Sequence, residues 1–70
     1  MAYIMNNTPD YMPPKRLRKL RDALGESQTE FAKRIGVTQA TVSRWEDGEL
    51  LIQGPARILI ERLMADHFHD

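Results

Sequence analysis

Six consecutive residues, 39–44, read Gln-Ala-Thr-Val-Ser-Arg, and four of them carry side chains suited to the edges of base pairs. The amide of Gln39 sets a donor beside an acceptor, the pattern that matches N6 and N7 of adenine. The fork of Arg44 matches O6 and N7 of guanine. The Ala40 methyl fits against a thymine methyl, and the Ser43 hydroxyl can bond either kind of group. Thr38 and Thr41 add short hydroxyl donors of the kind that meet phosphate, and Lys33 offers a cation for the same purpose. No other chemistry is so well served. The chain has no cysteine, which excludes disulfides and thiolate zinc sites. His67 and His69 stand two apart in a polar tail with no third ligand, so neither a metal nor another cofactor is expected. There is no nucleophile paired with a base and no phosphate-cradling glycine loop, so the chain does not read as an enzyme.

For the four base-reading residues to act together they must share one face of a helix, and the sequence supplies the helix. Ser27-Gln28-Thr29-Glu30 fits a capping box, with Ser27 as N-cap, and opens a helix over 28–35 that carries Phe31, Ala32 and Ile35 inward. Gly36-Val37-Thr38 is a tight turn, Thr38 is the next N-cap, and a helix over 39–47 follows until Gly48 stops it. Val42 and Trp45 fall on its inner side, leaving Gln39, Ala40, Ser43 and Arg44 opposite. A helix fits the major groove and reads from its N-terminal half. The backbone N–H groups at both helix starts, Ser27 and Thr38, add partial positive charge for phosphates.

Around this pair the spacing predicts two more helices. The first begins at Pro14, where a missing N–H costs nothing, and its stripe of Leu17, Leu20 and Leu24 ends at Gly25. The last opens at Gly54-Pro55 and reaches Ala65 or Asp66. Ala56, Leu59 and Leu63 make its core stripe. Ile60 and Met64, with Ile52 from the preceding loop, make a second stripe, and a helix apolar on two sides has neighbours on both. Residues 1–12 lack periodicity and read as an arm, of which Tyr3, Ile4, Tyr11 and Met12 are apolar enough to pack.

Seventy residues make one domain at most, too small to wall off a deep pocket with catalytic machinery. Small domains gain stability by association, which favours a homodimer through Ile52, Ile60 and Met64. Formal net charge is zero, but it is unevenly spread: −1 over residues 1–14, +5 over 15–44 and −4 over 45–70. The positive segment, which includes Arg18, can approach phosphates while the other end stays acidic. No signal peptide or membrane span is read, so a soluble, cytoplasmic protein is expected.

The stretch SQTEFAKRIGVTQATVSRWEDG resembles the helix-turn-helix of the Cro and phage-repressor (Xre-like) regulators. The resemblance covers residues 14 to about 65, with the pattern S-Q-x-E-[FL]-A, G-V, T-V-S-R-W-E-x-G. It implies that Gln28 touches a phosphate while bracing Gln39, and that Gln39, Ala40, Ser43 and Arg44 take the base-reading positions. It also implies that Arg21 pairs, largely buried, with Glu46. Members often carry Lys or Arg just after the glycine that ends the third helix. Here Asp47 and Glu49 flank it, which shifts backbone contact toward the first two helices.

The expectation is an all-α, compact, four- to five-helix domain similar to the lambda repressor, with an arm at 1–12, the helix-turn-helix domain at 13–66 and a tail at 67–70. Its expected role is a sequence-specific regulator of transcription, a repressor that binds an inverted-repeat, palindromic operator in double-stranded DNA as a homodimer. The alternative is an antitoxin-like interaction module that masks a partner protein, motivated by the apolar Leu50-Leu51-Ile52 and the doubly apolar last helix.

Overall fold

A computed structural model of the chain describes residues 11–68; Tyr3, Ile4 and His69 lie outside that range. Among the described residues there are four helices and no strand: α1 (Pro14–Leu24), α2 (Gln28–Ile35), α3 (Gln39–Glu46) and α4 (Gly54–Phe68). Each boundary has a local cause. Pro14 takes the first helical position of α1, behind an extended Pro13 that makes no side-chain cap. At α2 the Ser27 hydroxyl accepts from the Glu30 N–H at 3.1 Å while the Glu30 carboxylate accepts from the Ser27 N–H at 2.8 Å. Thr38 caps α3 by accepting from the Thr41 N–H at 3.2 Å.

The turn between α2 and α3 depends on Gly36. Its φ of +79° lies in the left-handed region, which costs a residue with a Cβ ~1–2 kcal/mol. Its N–H and that of Val37 both return to the Ala32 carbonyl, so the chain reverses without stranding backbone donors. At the far end of α3 the Gly48 N–H donates to the Trp45 carbonyl and the Glu49 N–H to the Arg44 carbonyl, a Schellman closure.

The core joins Leu17 and Leu20 of α1, Phe31 and Ala32 of α2, Val42 and Trp45 of α3 and Ile60 of α4. Met12 and Ile52 complete it from outside the helices. The Met12 N–H donates to the Ile52 carbonyl at 2.8 Å, an isolated antiparallel bridge between the lead-in and the loop after α3. Met12 is therefore part of the domain rather than the last residue of an arm.

Three expectations about the second half are corrected. The stripe assigned to a partner faces inward. Ile52 and Ile60 are buried at 1% and 0% exposure, and Met64 packs partly buried against the same core. Leu59, assigned to the core, is 41% exposed, and Ile58 is 54% exposed. The inward face keeps Ala56 and Leu63 of the expected core stripe but takes Ile60 and Met64 in place of Leu59, and Leu59 and Ile60 stand about 100° apart round the axis. The Met12–Ile52 bridge turns Ile52 into the core, and Leu50 and Leu51 stay exposed. Finally, α4 runs through His67 to Phe68, whose rings meet edge to face, so these two residues extend the helix instead of forming a tail.

Candidate nucleic-acid interface

α3 is short, and eight residues of helix do not hold themselves in water. Its position comes from Val42 and Trp45, which are buried against the core while α3 packs chiefly on α2 and next on α1. Gln39, Ala40 and Arg44 are exposed, and Ser43 is half-buried beside them. Spacings of three, four and five residues bring these four onto one outward side of the helix.

The most ordered part of this surface is a chain of polar side chains that starts inside the protein. The Glu46 carboxylate is fully buried. Arg21 grips it with a fork, Nε donating to Oε2 at 2.7 Å and Nη2 to Oε1 at 3.0 Å, while its Nη1 donates to the Glu26 carbonyl at 2.9 Å. Arg18, mostly exposed, stands 3.6 Å from the same carboxylate. Gln28 then donates from Nε2 to Glu46 Oε1 at 3.0 Å, and Gln39 donates from Nε2 to Gln28 Oε1 at 2.7 Å. α1, α2 and α3 are thus tied by one carboxylate, and the outermost member is the first residue of α3.

Burial pushes the Glu46 carboxyl toward the neutral form. The Arg21 and Gln28 hydrogen bonds and the nearby charges of Arg21 and Arg18 outweigh it, so the group is held below the usual carboxylate range. The Arg21 guanidinium is held more firmly protonated, chiefly by its hydrogen bond to Glu46. Near neutral pH the pair is a charged, charge-assisted fork.

The residues assigned to the DNA backbone differ in what they have left to offer. The Ser27 oxygen accepts at the start of α2, and its hydroxyl proton has no acceptor among the described residues. The Thr38 and Thr41 hydroxyls lie 3.0 Å apart, and one donates to the other. Since Thr38 already accepts from the Thr41 N–H, the arrangement with Thr41 as donor leaves the Thr38 O–H free to point outward. Lys33 is exposed. Arg34, its neighbour, is bound to the Glu26 carboxylate through two of its nitrogens, and that bond lowers the Glu26 pKa.

Two features of this surface were not read from the residues. Nothing in the spacing points to Glu26 as the partner of Arg34. The link from Gln28 inward to Glu46, the first residue of α2 and the last of α3, was also missed, and spacing gives no signal for it.

Comparison with known families matches residues 18–63 to a family described as the RsaL-like HTH domain. A protein of Pyrococcus furiosus named as an HTH-type transcriptional regulatory protein is 39% identical over 52 residues, which is 74% of this chain. The match spans only 16% of that relative's length. No solved structure matches. The matched region takes in all of α2, the turn and α3; the narrower kinship with Cro and the phage repressors rests on the motif residues alone.

Proposed function

The chain belongs to the RsaL-like helix-turn-helix family, and from that premise we propose that it is a sequence-specific, double-stranded-DNA-binding regulator of transcription. α3 enters the major groove. Gln39 reads adenine, Arg44 reads guanine, Ala40 meets a thymine methyl and Ser43 bonds a neighbouring edge. Ser27, Gln28, Thr38, Thr41, Arg18 and Lys33 meet the phosphates that fix the register. The observation that carries this reading is that Val42 and Trp45 are anchored in the core while Gln39, Ala40 and Arg44 are exposed on the other side of the same helix. The resemblance to Cro and the phage repressors, carried by the motif, supports a repressor that occludes a promoter.

The regulator acts as a homodimer on an inverted repeat, with two recognition helices ~34–36 Å apart in successive major grooves. The partner surface is Leu50, Leu51, Ile58 and Leu59, all more than two-fifths exposed, in place of the buried Ile52 and Ile60. Selection of bound sequences from random duplexes tests the reading. It should return a two-fold symmetric consensus with an adenine and a guanine in each half. A consensus without symmetry would remove the dimer, and no consensus would remove sequence-specific binding. The same four exposed residues favour one second reading, a module that masks a partner protein; a chain that stays monomeric and selects no DNA would support it.

A further inference from the structure

We propose that Glu46, though buried away from the groove, decides which purine Gln39 reads, by setting through Gln28 the direction in which both glutamine amides point. This rests on the DNA-binding reading of α3. An amide presents a donor at one end and an acceptor at the other, and rotating it by half a turn exchanges them. For an exposed glutamine the two orientations are nearly equal in energy. Here the sequence of partners removes the choice.

Glu46 is ionised and can only accept hydrogen bonds, and both of its oxygens already face donors from Arg21. Whatever Gln28 turns toward Glu46 Oε1, 3.0 Å away, must therefore be its NH2 group. Its carbonyl oxygen is then left facing Gln39 at 2.7 Å, and only the Gln39 NH2 group can answer it. One Gln39 N–H is consumed. The outward face of the Gln39 amide keeps one N–H and its oxygen. That pair complements N7 and N6–H of adenine. If the relay ran the other way, the Gln39 oxygen would be consumed and two N–H groups would face outward, matching the two acceptors N7 and O6 of guanine. The buried carboxylate thus acts as a positioning group, and it selects adenine over guanine without touching DNA.

The experiment measures binding of the full chain to four duplexes that differ only at the base pair read by Gln39, for the wild type and for Gln28→Met, Gln28→Ala and Glu46→Gln. Gln28 is half-buried at the first position of α2, so Met preserves volume and helix propensity while removing both hydrogen bonds. Circular dichroism at the binding temperature selects conditions where each variant is folded. The wild type should prefer adenine to guanine by about tenfold or more, the range of one bidentate contact. Both Gln28 variants should bring that ratio to within about threefold, because a freed Gln39 amide can turn to suit either purine. Glu46→Gln should move it in the same direction, since an amide at that position no longer dictates the orientation of Gln28. The preference at the Arg44 position should not move. Loss of a phosphate contact by Gln28 would weaken all four duplexes alike and cancel in the ratio. An unchanged adenine-to-guanine ratio in the folded Gln28 variants, with uniformly weaker binding, would overturn the relay and leave the DNA reading standing. A wild type indifferent to all four duplexes would overturn base reading by Gln39, and the relay with it.

Discussion

At Glu46 burial works against the charge and three neighbouring groups, Arg21, Gln28 and Arg18, work for it, with the net result that the folded protein holds this proton less tightly than a free glutamate does. A carboxylate whose folded pKa is depressed contributes stability above its unfolded pKa and loses it as pH falls through the folded value. Stability should therefore be level near neutrality and decline below the ordinary glutamate value of 4.5, and Glu46→Gln should flatten that decline. Urea denaturation at a series of pH values checks this. Removing the cation is the harsher change. Arg21→Met leaves a buried carboxylate with only Gln28 and a more distant Arg18, and should cost about 3 kcal/mol, at the low end for breaking a buried pair. The double change Arg21→Met, Glu46→Met should recover much of that loss, because no charge is left stranded. Either single loss is a large share of the stability of a domain this small. The pairing of residues 25 apart is invisible to periodicity, and only resemblance to known regulators pointed to it. The outward face of α3 was legible directly, since Val42 and Trp45 are the only large apolar residues in that helix.

The elements divide into those whose ends are written in the chain and one whose rotation is not. Ser27, Thr38, Gly36 and Gly48 mark starts and stops by local chemistry, and α1, α2 and α3 sit where that chemistry puts them. Gly36→Ala isolates the turn. A Cβ there meets nothing within 4 Å, so the expected loss of ~1–2 kcal/mol would come from the left-handed backbone and not from a clash. Thr38→Ala should cost ~1 kcal/mol by leaving the Thr41 N–H without its cap. Chemical denaturation of both variants measures these losses, and a Gly36→Ala protein as stable as the wild type would contradict the turn geometry. α4 shows where local reading runs out. With apolar residues at 56, 58, 59, 60, 63 and 64 its pattern fits two stripes equally. Ile60 is the residue that enters the core, together with Met12 and Ile52 from outside the helix, and no pattern within α4 itself marks it out.

For the whole molecule, zero net charge conceals a basic first half and an acidic second half, so the protein should meet DNA by one end only. Among the described residues, Leu50, Leu51, Ile58 and Leu59 are exposed apolar side chains of the acidic half, and they make up the surface proposed for a second copy. Ile58→Glu with Leu59→Glu should abolish the dimer in analytical ultracentrifugation and leave the helical signal intact, because neither side chain supports the core. Loss of folding in that variant would mean the stripe assignment is wrong.

If α3 reads bases while the remaining contacts attract and position the duplex, the two contributions separate when the affinity of the wild type and of Gln39→Ala, Arg44→Ala is measured for the selected operator and for an unrelated duplex across a range of salt. The double variant should bind both duplexes with the shallow preference of non-specific contact, while the slope against log salt falls by no more than the loss of one cation, Arg44, about one unit. A variant that still prefers the operator as strongly as the wild type would contradict base reading by α3.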